Sequence, residues 1–174
     1  GSREDAAEAA QASRTVYYAS HAWNPYFLHG TKTLAYEMCE QLDWRAPDRL
    51  VVPVGNGTLL LGAFIGFTEL LNAGIIDKMP KLIAVQTANC APCAEAFRKG
   101  KDDISAIDSK PTLAEGIAVA QPVRGSQIIS AVRNTDGDFL TVSENDIKEW
   151  LHHLYRRGYY IEPTSAVVFA ALSR

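Results

Sequence analysis

Leu50-Val51-Val52-Pro53-Val54-Gly55-Asn56-Gly57-Thr58 is the stretch that most restricts the folds open to this chain. A short continuous apolar run suits a strand covered on both faces, as in a parallel sheet. Gly55-Asn56-Gly57 ends that run. From Thr58 to Asn72 apolar residues recur at helical spacing, and Gly74 closes the segment. A strand that feeds a helix through a tight glycine turn is the first half of a βαβ unit. Residues 50–54 are therefore expected to be an interior parallel strand, and 58–72 the helix that it feeds.

The rest of the chain alternates in the same way. Residues 3–13 are rich in Ala, Glu and Gln and suit a helix. Thr15 to Ala19 is β-branched and aromatic and reads as a short strand. Ser20 to Gly30 reads as a loop around Asn24-Pro25, and Thr31 to Leu42 as a helix with Leu34, Met38 and Leu42 on one face. Further strands are expected at Lys81–Gln86, Phe139–Val142 and Tyr159–Ile161. Further helices are expected at Pro92–Arg98, Ser126–Arg133, Ser143 to about Arg157, and from Ser165 onward. Ser143-Glu144-Asn145-Asp146 is a partial capping box. Residues 99–111 read as a surface loop, and Thr112–Val119 fits neither period. Alternating strands and helices give the fold class: α/β, with a mostly parallel twisted sheet and helices on both faces.

The chain has 174 residues, long enough to bury a core without disulfide staples. Residues 3–174 are expected to form a single domain, and Gly1-Ser2 reads as an expression scar. The abrupt first helix and the last helix running to Arg174 give the expectation of a fragment. A net charge of −3 gives no field for nucleic acid or an acidic membrane surface. No run reaches the roughly 20 apolar residues that span a bilayer. An odd count of three cysteines and a polar, acidic start point to a reducing cytoplasm.

Chemistry concentrates at the glycine turn. Unpaired amides at a helix start converge on one spot, and the helix dipole favours an anion there. Phosphate is the natural ligand, although neither a Gly-Lys-Ser/Thr nor a dinucleotide fingerprint is present. The bland alternative is a tight turn that binds nothing. Cys90-Ala91-Pro92-Cys93 is the rival signal, a redox pair at a helix start. Two ordinary thiols are the simpler reading, and Cys39, His152 and His153 have no spacing for metal ligands. Trp23 and Tyr17-Tyr18 are expected in the core rather than on a base-stacking platform, for want of a basic groove.

Four stretches in order carry a resemblance. They are the glycine turn itself, the run from Asn24 to Glu37 (Asn-Pro-Tyr-Phe-Leu-His-Gly-Thr-Lys-Thr-Leu-Ala-Tyr-Glu), Thr112–Val119 with Pro122-Val123-Arg124-Gly125, and Glu162-Pro163-Thr164-Ser165-Ala166. Together they resemble the threonine synthase family, in the fold-type-II pyridoxal-phosphate enzymes of the tryptophan synthase β superfamily. Only the later portion of that family's length is matched, and the match spans essentially this whole chain. The resemblance implies pyridoxal 5′-phosphate as cofactor, its phosphate against the amides of Gly55, Asn56, Gly57 and Thr58, with the Thr58 hydroxyl as a further donor. It places Glu162 near the cofactor ring, with a buried or capping carboxylate as the equal alternative. Asn24 and His29 lie on a loop toward the active site, where a turn role is the simpler one.

The implied activity is a carbon–oxygen lyase reaction on a phosphorylated amino acid: O-phosphohomoserine to threonine and phosphate. Without a covering domain, an apolar patch near Gly55-Asn56-Gly57 and Glu162 is expected to lie open, and a homodimer through that face is the expected assembly. The Pro-Val-Arg-Gly stretch favours this branch over threonine dehydratases. A cysteate synthase and a non-catalytic remnant that binds phosphate or a partner are the other readings. The family's Schiff-base lysine lies in a Ser-x-Lys segment, and no such segment occurs here. The Ser-x-Gly-Asn loop that holds the substrate carboxylate is also absent from these residues. No catalytic residue is therefore assigned, and the isolated chain is expected to be inactive.

Overall fold

The computed structural model describes residues 3–172. Three parallel strands, β1 (Arg49–Pro53), β2 (Lys81–Thr87) and β3 (Asp138–Val142), form one sheet in the order β1-β2-β3. Eight α-helices accompany it among the described residues. They are α1 (Arg3–Ala12), α2 (Pro25–Thr31), α3 (Thr33–Gln41), α4 (Thr58–Asn72), α5 (Pro92–Arg98), α6 (Gly125–Asn134), α7 (Glu144–Arg156) and α8 (Pro163–Leu172). A single 3₁₀ turn, Glu115–Ile117, lies in the stretch that fitted neither period.

Strand alternation sorts the helices onto two faces. Leu50, Val52, Leu82, Ala84 and Phe139 share one core with side chains of α3, α4, α5 and α6. Val85 and Val142 share the other with α7 and α8. The molecule is thus a helix–sheet–helix stack, as the alternation of elements implies.

β1 lies at one end of the strand order, not in its interior. Asp48 and Val54 both bond toward β2, through Lys81 N–H and the Val85 carbonyl. Backbone groups alternate sides along a parallel strand, so those of Val51 and Pro53 face the other way. Proline has no N–H to donate, and Pro53 therefore sits where none is required. The expected burial does hold: Leu50, Val52 and Val54 are buried.

Two expected strands do not form. Residues 15–19 and 159–161 are irregular, with Tyr17, Tyr159 and Tyr160 exposed, the last at 92 %. β propensity needs a partner strand and a face to pack on, and these segments have neither. Trp23 and Tyr17 are likewise exposed rather than in the core. Residues 25–30, expected as loop, are helical instead. Asn24 caps α2 by accepting the Tyr26 N–H at 2.9 Å, and Pro25 occupies the first helical position. On α3 the buried face carries Ala35 and Cys39, while Leu42 is exposed. The rotation has a steric cause. A Cβ on Gly66 of α4 would stand 2.5 Å from the Lys32 carbonyl and 2.7 Å from the Ala35 Cβ, so the helices meet through small residues.

Candidate functional site

In a parallel sheet all strands end on one edge, and ligands of open α/β sheets gather there. Here β1 leads to α4, β2 to α5 and β3 to α7, so three helix starts stand along that edge. Each start brings backbone N–H groups that need acceptors. At α7 the protein supplies them. The Ser143 hydroxyl accepts from Asp146 N–H at 3.2 Å, and the Asp146 carboxylate accepts from Ser143 N–H at 3.0 Å. At α5 a fully buried side chain does so: Gln86 Oε1 accepts from Ala94 N–H at 3.0 Å, while its Nε2 donates to the Val54 carbonyl at 3.2 Å.

The start of α4 differs. Its N-cap is Gly57, in the left-handed region at φ 74°, with no side-chain cap and no acidic residue in the first turn. Among the described residues no acceptor meets the N–H of Gly55, Asn56, Gly57 or Thr58. Gly55 and Gly57 are both buried. Four consecutive amides at the positive end of a fifteen-residue helix, two of them on buried residues, suit a phosphate. The Thr58 carbonyl accepts from the Thr31 hydroxyl at 3.1 Å, which ties α2 to this turn.

The glycines also permit close packing behind the turn. A Cβ on Gly57 would stand 2.4 Å from Ile128 of α6, and one on Gly55 3.0 Å from the Ile117 Cα and 3.3 Å from the Gly116 carbonyl. A Cβ on Gly116 would in turn lie 2.8 Å from the Thr164 hydroxyl. The Gly55 turn, residues 116–119 and the start of α8 are thus stacked on one another. The stretch from Asn24 joins through the Thr31–Thr58 bond, and Arg124 holds the residues just before it: Nε donates to the Ala22 carbonyl at 2.9 Å and Nη2 to the Trp23 carbonyl at 3.3 Å. All four sequence stretches singled out above therefore meet around one helix start.

Glu162 stands just before α8 with its side chain exposed, and its carbonyl accepts from Ser165 and Ala166 N–H. A buried carboxylate is excluded by that exposure. Asn24 is the N-cap of α2 rather than a turn residue, and His29 is exposed on α2. A groove of about 580 Å³ between α2, α4 and α6 is lined by Leu28, His29, Leu61, Phe64 and Arg124, among others. Residues 55–58 and 162 are not part of it.

A carboxylate passed over in the sequence completes the edge. Glu144, in the first turn of α7, accepts from the Thr112 hydroxyl at 2.6 Å, the Leu113 N–H at 2.7 Å and the Thr87 hydroxyl at 2.8 Å. Burial pushes its carboxyl upward, but the Thr112, Leu113 and Thr87 hydrogen bonds outweigh that and hold it below the usual range. Only the cap serine of this helix had a sequence signature. Nothing local marks Glu144 or Gln86, because their partners lie 31 or more and 8 or more residues away.

The cysteine pair has none of the features of a reactive site. Cys90 and Cys93 are buried, and burial pushes the Cys93 thiol up to about 12. A thiol held that high is inert at neutral pH, contrary to the redox reading. His152 and His153 are both exposed, and no cluster of three or more metal-ligating side chains occurs among the described residues. Lys32 is engaged with Glu69 at 2.8 Å, and the Tyr36 hydroxyl donates to the same carboxylate. Lys78 and Lys99 pair with Asp48 and Glu95, and Lys81, Lys101, Lys110 and Lys148 are exposed. No helix among the described residues is long and apolar enough to cross a membrane.

Comparison with known proteins accords with this geometry. The sequence profile of the family described as "Pyridoxal-phosphate dependent enzyme" matches residues 1–174. A threonine synthase of Methanocaldococcus jannaschii is 36% identical over 164 residues, which cover 94% of this chain and 40% of that protein. The chain thus spans well under half the length of that curated relative. The serine racemase of Dictyostelium discoideum superposes with a TM-score of 0.66 at 26% identity, over 87% of this chain and 44% of that one. A pyridoxal 5′-phosphate-dependent aspartate racemase superposes with a TM-score of 0.72 at 21% identity, over 99% and 50%, and shares the fold. An α4 start whose first amides meet no acceptor among the described residues, a parallel sheet of this type and a family match along its whole length lead to one conclusion: the chain belongs to the pyridoxal-phosphate-dependent enzymes, in their threonine synthase-like branch, with pyridoxal phosphate as the family cofactor.

Proposed function

We propose that residues 3–174 are one domain of a longer threonine synthase-like lyase, and that Gly55, Asn56, Gly57 and Thr58 hold the phosphate of its pyridoxal cofactor. The observation that carries this reading is the α4 start, where those four amides have no acceptor among the described residues while the α5 and α7 starts are satisfied internally. The cofactor, when bound, supplies the electron sink that amino-acid lyase chemistry needs. The chain's own contribution is binding and orientation. The amides and the α4 dipole neutralise the phosphate, Gly55 and Gly57 let the turn lie flat on residues 116–119 and Ile128, and Glu162 at the α8 start faces the ring.

The substrate we assign to the whole enzyme is O-phosphohomoserine, converted to threonine and phosphate in the cytoplasm by a homodimer. The support is the 36% identity to a threonine synthase across nearly the whole chain. The cofactor-anchoring lysine is assigned to a part of the enzyme outside these 174 residues. The assignment rests on the lack of a Ser-x-Lys segment and on the engagement or exposure of every lysine here.

The test is to mix the purified chain with pyridoxal phosphate, reduce with borohydride and locate any modified lysine by peptide mass spectrometry. Diffuse labelling of exposed lysines, with no threonine formed from O-phosphohomoserine, is the expected result. Stoichiometric labelling of one lysine together with threonine formation would overturn the assignment of the lysine to another part of the enzyme. Turnover by the longer enzyme of a different phosphorylated amino acid, or of threonine itself, would shift the substrate to the cysteate synthase or dehydratase reading.

A further inference from the structure

Segment 112–119 crosses the carboxyl edge of the sheet like a strap. Its first residues sit at Thr87, the last residue of β2, and at Glu144, which begins the helix after β3. Its last residues press on Gly55, beyond the end of β1. Between these points the strap has only one 3₁₀ turn, Glu115–Ile117, and Gly116 touches Thr164. A segment with so little regular structure keeps its position through its anchors.

The anchor at the first end is a single carboxylate. Both oxygens of Glu144 are used, Oε1 by the Thr112 and Thr87 hydroxyls and Oε2 by the Leu113 N–H. The Thr112 oxygen also accepts from the Ala114 N–H at 3.1 Å, so the turn into the strap is fixed through the same group. Glu144 lies in the first turn of α7, where the helix dipole favours its negative charge. At the other end the fit is tight: a Cβ on Gly55 would stand 3.0 Å from the Ile117 Cα, so the strap would have to give by a few tenths of an ångström to admit it.

We propose that Glu144 is a positioning residue for the phosphate turn, holding strap 112–119 in place so that Ile117 and Gly116 back Gly55 and keep the four amides aimed at one point. The proposal rests on the reading of Gly55–Thr58 as the phosphate site. Glu144 touches neither the turn nor the ligand and acts only through the strap.

The experiment compares wild type, Glu144→Ala, Glu144→Gln and Thr112→Val by peptide-level hydrogen–deuterium exchange and by affinity for inorganic phosphate. In Glu144→Ala, exchange is expected to quicken over 112–119 and 54–61 while that of α3 is unchanged. Phosphate affinity should fall about tenfold, as when one buried hydrogen-bonding set is left unmet. Glu144→Gln should recover most of both effects. Its carbonyl can accept from Leu113 N–H, and its amide can donate to the two threonine hydroxyls, which accept as readily as they donate. Thr112→Val removes the bonds to Glu144 and from Ala114 N–H but leaves Glu144 its Thr87 and Leu113 partners, and should shift both readouts in the same direction by less, which also covers a Glu144→Ala variant that does not fold. The proposal is overturned if exchange quickens at 112–119 with 54–61 and phosphate affinity unchanged, or if Glu144→Gln is as impaired as Glu144→Ala. Failure of wild type to bind phosphate at all would refute the phosphate-site reading, while the exchange coupling between the two stretches would still decide the role of Glu144.

Discussion

Replacing Gly57 with alanine tests how the glycine turn before α4 is built, because two separable costs fall on one atom. The residue has φ 74°, in the left-handed region, where a Cβ costs roughly 1–2 kcal/mol. The same Cβ would stand 2.4 Å from both Cγ1 and Cδ1 of Ile128, a fully buried side chain on α6. Forcing an extra methyl into a filled core costs about 1–3 kcal/mol. Gly57→Ala should therefore destabilise the chain by about 2–5 kcal/mol, a large share of the roughly 5–15 kcal/mol typical of a domain. Gly74→Ala is the control: φ is 68°, and nothing lies within 4 Å of the added Cβ. It should show the backbone cost alone, about 1 kcal/mol after the gain from a stiffer unfolded chain. Urea unfolding of the two variants gives the difference directly. Ile128→Val removes Cδ1 and alone should cost about 0.5–1.5 kcal/mol. In the Gly57→Ala background it should cost less or restore stability. Equal losses at Gly57 and Gly74 would refute the close approach.

Other perturbations have expected outcomes of their own. Ser143→Ala removes the α7 cap and should cost about 1 kcal/mol by urea unfolding, and a change near zero would contradict the reciprocal cap with Asp146. Glu144 has its folded carboxyl below the ordinary value of 4.5, so it contributes stability above that pH and loses it as pH falls through the lower folded value. Urea midpoints measured from pH 6 down to pH 3 should fall in wild type and fall less in Glu144→Gln; parallel profiles would show that the carboxylate is not held as described. With Cys93 pushed up to about 12, its thiolate fraction at pH 7 is about 10⁻⁵. Iodoacetamide should leave Cys39, Cys90 and Cys93 unmodified in the native chain and label all three in urea. Fast native labelling of Cys90 or Cys93 would revive the redox reading.

Strand–turn–helix order was legible because each element carries its own signal. The apolar run at 50–54, the helical period from Thr58 and the Ser143/Asp146 cap are local properties, and they lie within about one residue of the observed β1, α4 and α7. Thr15–Ala19 and Tyr159–Ile161 misled because aromatic and β-branched residues signal a pleated, half-buried surface, and neither segment has a strand to pair with. Asn24-Pro25 has the signature of a turn, yet the same pair is an N-cap followed by a proline at the first position of a seven-residue helix. The position of β1 at the end of the sheet was not readable, since burial by helices on both faces leaves the same apolar pattern as an interior position. Of the site, the glycine turn was legible. Glu144 and Gln86 were not, because hydrogen bonds to residues distant in sequence leave no periodicity to detect.

The central claim is that Gly55–Thr58 receives the cofactor phosphate, and amide NMR on the ¹⁵N-labelled chain tests it most directly. Titration with pyridoxal phosphate, with inorganic phosphate and with chloride as a control should move the Gly55, Asn56, Gly57 and Thr58 amide signals saturably for both phosphates. The amides at the α5 and α7 starts, already met by Gln86 and by the Ser143/Asp146 cap, should stay in place. Unmoved signals at residues 55–58, or phosphate-dependent shifts confined to the groove around His29 and Arg124, would contradict it.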